Sequence, residues 1–106
     1  MMTETEFLQR AEAVLAAIEA AVDAVDVDIE ATRSGSVLTL ELPNGGRIVV
    51  NLQAPMQQVW IAARTGGHHF GLRDGIWIDT RDGSELFAAL SRIVSAQGGQ
   101  AVVLRR

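Results

Sequence analysis

A chain of 106 residues is long enough for one domain around a single core and too short for two. It contains no cysteine, which removes disulfides, thiolate metal sites and thiol nucleophiles together, so any metal must bind through oxygen or histidine. The nine basic residues are all arginine and stand against thirteen carboxylates, a net charge of −4, and no basic cluster precedes the terminal Arg105-Arg106 pair, which argues against nucleic acid as a partner.

No apolar run approaches the roughly 18–20 residues of a membrane span. The opening Met1-Met2-Thr3-Glu4-Thr5-Glu6 is acidic where a secretory or transit peptide would be basic, so the expectation is a mature chain in a cytoplasmic compartment with no membrane partner. Thr3 and Glu6 have the spacing of a capping box and predict a helix starting near Thr3 to Thr5. Phe7, Ala11, Val14, Ile18, Val22 and Val25 recur at intervals of three and four, one face of a helix that ends near Val25. On the same wheel Glu12, Glu19, Asp23 and Asp26 fall in one narrow sector away from that face.

Val27 to Ala31 alternates apolar and acidic residues and predicts a half-buried strand with Asp28 and Glu30 pointing outward together. Ser34-Gly35-Ser36 turns into a strand over Val37 to Leu42, and Pro43-Asn44-Gly45-Gly46 turns into Arg47 to Leu52. Further strands are expected over Gln58 to Ala63, His68 to Arg73 after a Thr65-Gly66-Gly67 turn, and Ile76 to Asp79 after the hairpin signal Asp74-Gly75. Ser84 is placed to cap a second helix carrying Leu86, Phe87, Leu90, Ile93 and Val94 and closing at Gly98-Gly99. The tail Gln100 to Arg106 pairs with the sheet or packs between the helices. The sum is an α+β fold: a two-layer α-β sandwich of one domain over residues 1–106, N- and C-terminal helices on one face of an antiparallel sheet of five to seven strands, the other face open.

Catalytic chemistry has little support. There is no G-x-S-x-G elbow, P-loop or dinucleotide fingerprint, and His68 and His69, adjacent on a strand, point to opposite faces. The chain is therefore expected not to be an enzyme. Glu19, Asp23, Asp26, Asp28 and Glu30 place hard oxygen donors along one ridge, which suits weak, water-rich and poorly selective binding of hard cations. The same ridge also suits docking of an arginine- or lysine-rich partner, or simply a solvated surface. On the opposite layer, alternation puts Ile48, Val50, Leu52, Val59 and Ile61 to one side and Asn51, Gln53 and Trp60 to the other. An exposed tryptophan beside amides has the composition of a partner-binding hot spot.

The run Asn51-x-Gln53-x-Pro55-x-x-Gln58-Val59-Trp60-Ile61-Ala62, followed by Gly66-Gly67-x-His69-Phe70, resembles in residue types and spacing the central signature of the frataxin family and its bacterial, CyaY-type branch. The similarity extends over almost the whole chain: the acidic first helix, a strand with Asp28 and Glu30, Asn44-Gly45 before the signature, Trp77 ahead of Gly83, and the closing helix. The resemblance implies a protein that binds iron (Fe2+ or Fe3+) weakly through surface carboxylates, other divalent cations being able to substitute, and that takes part in iron-sulfur cluster assembly. It implies docking on the cysteine desulfurase and scaffold machinery and regulation of cluster formation, with iron donation as a further role. It also implies a monomer, with iron-dependent oligomers left open. Carried over residue by residue, the metal positions are Glu19, Asp23, Asp26, Asp28 and Glu30, and the partner-binding positions are Asn51, Gln53 and Trp60. Two departures, Ala20 beside Glu19 and Ala24 beside Asp23, stand where bacterial relatives often have paired acids, and the link from helix to first strand looks short; fewer or weaker iron sites are expected. A metal-independent acidic module that docks on a basic partner is the alternative, and an iron oxidase ranks last because the paired Glu-x-x-His ligation of di-iron bundles is missing.

Overall fold

The structure is a computed structural model, which describes residues 2–106. Helix α1 spans Glu4–Ala24, strands β1 to β6 span Glu30–Ser34, Val37–Glu41, Arg47–Gln53, Gln58–Ala63, Gly66–Arg73 and Ile76–Asp79, and helix α2 spans Leu86–Gly98. The strands form one six-stranded sheet in sequence order, every neighbouring pair antiparallel. Both helices cover the same face, giving the two-layer sandwich that the alternation predicted. Among the described residues no helix is long and apolar enough to cross a membrane.

α1 begins where the capping box predicts. The Glu6 N–H donates to Thr3 Oγ1 at 3.1 Å and the Thr3 N–H returns a bond to Glu6 Oε1 at 2.9 Å, satisfying two backbone donors that a helix start leaves free. Its stripe of Phe7, Ala11, Val14, Leu15, Ile18, Ala21 and Val22 is buried on the sheet. There it meets Leu38, Leu40, Ile48, Val50, Leu52, Val59, Ile61, Phe70 and Trp77, the inward residues of β2 to β6. Phe7 meets Trp77 edge to face with ring centroids 6.1 Å apart, tying the first turn of α1 to the last strand.

Four local expectations change. The first strand begins at Glu30 rather than Val27: Glu30 pairs with Glu41, the last residue of β2, and beyond Glu41 the chain turns away, so residues 27–29 have no strand to pair with. Instead the Ile29 N–H closes a tight turn onto the Val27 carbonyl. Helix α1 ends where expected, with Val25 as its C-cap, but Asp26 lies in the following bend rather than on the helix wheel. The β4–β5 turn is Arg64-Thr65, because Gly66 and Gly67 already pair with Ala63 and Ala62. Finally, α2 is capped by Glu85, whose carboxylate accepts from the Phe87 and Ala88 N–H groups at 2.7 and 3.1 Å. Ser84 is drawn off by β6, since its carbonyl accepts the Asp79 N–H.

The Asp74-Gly75 hairpin keeps its predicted form, with φ of +51° and +80° at its two central residues, the left-handed pair that a two-residue loop between twisted strands requires. After α2 the tail forms no strand. Val102 and Leu104 turn inward, and their N–H groups donate to Ser95 Oγ and Ser91 Oγ at 2.9 and 2.8 Å, strapping the extended tail along the helix.

Thr3→Ala removes the α1 cap and is expected to lower the free energy of unfolding by about 1 kcal/mol at neutral pH. The bond from the Thr3 N–H holds the Glu6 carboxyl below its ordinary range, so its share of stability is complete above that range and is lost as pH falls through the folded value. Urea unfolding of the native chain and of Glu6→Ala, which loses this bond, should show the difference between them shrinking on acidification through the carboxylate range.

Candidate functional site

Two surfaces carry the sequence-predicted residues. The first is the edge where α1 runs into β1. Glu19 and Asp23 project from the last turns of α1, Asp26 and Asp28 from the connection, and Glu30 from the first position of β1. All but Glu19 are exposed, and Glu19 is half-buried. They form a line rather than a nest: among the described residues no three histidine or carboxylate side chains come close enough to hold one ion together. Hard cations held here would keep most of their water.

Two details of this edge were not visible in the sequence. Arg33 Nη1 lies 3.8 Å from Glu19 Oε1, because Arg33 is the residue of β1 that faces the helix layer beside α1. Such a partly exposed pair contributes little stability, but it places a guanidinium next to one of the ridge carboxylates. Glu41, facing Glu30 across β1 and β2, adds a further carboxylate to the shallow hollow lined by Asp28, Glu30, Pro43 and Gly45. Like charges directly opposed cost stability, and Arg47 Nε, 3.4 Å from Glu41 Oε2, offsets that cost.

The second surface is the open face of the sheet. The register sets Val37, Asn51, Trp60 and His69 in one row across β2, β3, β4 and β5, with Gln53 opposite Gln58 one step along. Asn51, Gln53 and Trp60 are half-buried by their neighbours and share this face. Their polar groups are tied to each other: Gln53 Nε2 donates to Asn51 Oδ1 at 2.7 Å and Trp60 Nε1 donates to Gln58 Oε1 at 2.8 Å. The His69 ring lies flat on the Trp60 indole, centroids 4.2 Å apart and planes within 12°. An aromatic pair flanked by fixed amides is an ordered surface, and docking on such a surface would carry a lower entropic cost.

His69, named in the sequence only as part of the family signature and as a histidine facing away from His68, joins this patch; its cross-strand pairing with Trp60 could have been inferred once the β4 and β5 boundaries were known. His68, on the other face as alternation requires, sits 3.7 Å from Asp79, a buried carboxylate that accepts from the Arg81 and Asp82 N–H groups. The two histidines form no common site.

Comparison with known proteins gives consistent matches. A family model described as a frataxin-like domain matches residues 1–100. The chain is 58% identical over 101 residues to a protein of Paraburkholderia phymatum named iron-sulfur cluster assembly protein CyaY, covering 95% of this chain and 96% of that one. A protein of the same name from a Janthinobacterium species is 57% identical, covering 98% and 97%. Among solved structures, frataxin from Psychromonas ingrahamii superposes with a TM-score of 0.91 at 34% identity over 99% of this chain and 100% of that one. Trimeric frataxin from Saccharomyces cerevisiae, complexed with ferrous iron, superposes with a TM-score of 0.66 at 27% identity over 94% and 89%.

The stack of Trp60 and His69 is expected to contribute about 0.5–1.5 kcal/mol beyond the area it covers. A double-mutant cycle of Trp60→Leu and His69→Ala, read by urea unfolding, should return a coupling energy of that size; a coupling near zero would show that the rings merely lie side by side.

Proposed function

The chain belongs to the frataxin family, and on that premise we propose that it acts in iron-sulfur cluster assembly as an iron-binding regulator of the cysteine desulfurase and its scaffold. Iron is its cargo, held weakly by Glu19, Asp23, Asp26, Asp28 and Glu30, and other divalent cations occupy the same carboxylates. The donor chemistry fits such a role: exposed oxygen ligands in a line give fast exchange and low selectivity, properties that suit handing an ion over more than storing it. No catalytic step is assigned to the protein. The hydroxyls of Ser91 and Ser95 strap the tail, and the Asp79 carboxylate holds the turn after β6. We place it with its partners in the cytoplasm, as a monomer that iron can assemble into oligomers.

The observation that carries the reading is the pairing of an acidic edge with a flat, pre-ordered face on the same small domain. The acidic edge steers and orients a basic partner surface, and its contribution weakens as salt screens it. Asn51, Gln53 and Trp60 then supply the buried centre of the contact, where an aromatic anchor among fixed amides carries most of the affinity. Glu19→Lys combined with Asp23→Lys is expected to abolish pull-down of the desulfurase at low salt. Trp60→Ala should weaken it about tenfold or more, with the weakening persisting at higher salt. Unchanged binding in both variants would remove the docking assignment.

One observation favours a second reading, a metal-independent module for a basic partner: Glu19 already stands beside a guanidinium, that of Arg33, as it would beside an arginine of a partner. Anaerobic titration with Fe2+ at low salt separates the two. The proposed function requires saturable NMR shifts at Glu19, Asp23, Asp26, Asp28 or Glu30, and the second reading requires none while desulfurase binding survives chelation.

A further inference from the structure

A hollow of about 530 Å³ lies on the helix side at the far edge of the sheet, between β6, the start of α2 and the C-terminal tail. That volume is within the range of small-molecule sites. The buried Trp77 and Phe87 line its bottom, the exposed Val103, Arg105 and Arg106 stand at its mouth, and Ile76 borders it from the edge of β6. Ile76 and Val103 are 49% and 60% exposed, two of the three large apolar side chains left this open among the described residues. Their exposure follows from local geometry. Ile76 begins the edge strand β6 directly after the Asp74-Gly75 turn, and Val103 is the outward residue between Val102 and Leu104, whose backbones Ser95 and Ser91 pin to α2. The hollow is thus walled by ordered backbone on both sides.

Charge narrows what it can hold. In a chain of net charge −4, the mouth carries two arginines, and among the described residues neither has an acidic partner within ion-pair distance. Arg10 adds a third, lining with Arg106 a neighbouring hollow that shares Trp77. The one acidic side chain in the lining, Glu85, is turned to the N-terminus of α2, where it accepts two backbone N–H groups. We propose that this groove binds a small amphipathic anion, an aliphatic chain lying on Trp77 and Phe87 beside Val103 with its carboxylate or phosphate head held by Arg105 and Arg106. A folded partner is a poor fit, because specific protein interfaces bury about 800 Å² on each side and this apolar strip is two side chains wide. The groove borders β6 and the acidic ridge borders β1, the opposite edges of the sheet, so a ligand here leaves the proposed iron and docking surfaces free.

The two tryptophans make a direct test, since Trp77 lines the groove and Trp60 lies on the other face of the sheet. The full chain labelled with 5-fluorotryptophan is titrated by 19F NMR with octanoate, below its micelle-forming range, and with octanol. Assignment comes from Trp60→Phe. Octanoate should shift the Trp77 resonance saturably and leave Trp60 in place, with octanol at least about tenfold weaker, the worth of roughly one charge-assisted contact. Arg105→Ser with Arg106→Ser should erase that preference, and Val103→Glu, at an exposed rim that can accept it, should abolish binding. Octanol binding as well as octanoate, both resonances moving together, or no shift at all would each overturn the proposal. So would sedimentation showing a dimer that Val103→Glu dissociates, which would assign the groove to a second copy of the chain.

Discussion

One constraint organises the molecule: a six-stranded antiparallel meander alternates its side chains between two faces, and both helices lie on the same one. Every inward residue of β2 to β4 from Leu38 to Ile61 is thereby committed to the core, together with Phe70 and Trp77 beyond, and every residue between them is committed to solvent or to a partner. A slip of one residue in any strand would exchange the two sets, so the apolar stripe of α1 sets the register of the functional face without touching it. Phe7 against Trp77 closes the arrangement by joining the first helical turn to the last strand.

The two candidate surfaces differ in how they are held. The open face is rigid, because Asn51, Trp60 and His69 are consecutive partners across three hydrogen-bonded strands and their side chains brace one another. The acidic edge is assembled from three kinds of backbone: the end of a helix, a bend and the first residue of an edge strand. Its carboxylates are spaced by that path and not gathered by it. Long-range attraction needs only summed charge, whereas tight chelation needs convergence, so the edge is better built for steering a partner and holding ions loosely than for caging them.

What could be read from residues alone is what short-range rules control. Thr3 and Glu6 announce the start of α1 because a helix start leaves backbone donors that only such side chains nearby can satisfy. Asp74-Gly75 announces a hairpin because both positions need positive φ, and alternation from Ile48 to Ile61 separates the core from Asn51, Gln53 and Trp60. The signature over Asn51 to Phe70 carries the family likeness. The expectations that changed all turn on partners distant along the chain. The first strand starts late because β2 ends at Glu41, and Ser84 yields the cap to Glu85 because β6 takes its carbonyl.

The sequence by itself therefore determined the elements, their order, the polarity of each face and the membership in a family, since periodicity and turn chemistry are local properties of the chain. Tertiary structure decided which faces meet. It set Arg33 beside Glu19, laid His69 on Trp60, strapped the tail to α2 through Ser91 and Ser95, and left a groove with an arginine mouth at the edge of β6. Those contacts join residues from different elements, and their existence depends on helix placement and strand pairing that no single stretch of sequence encodes.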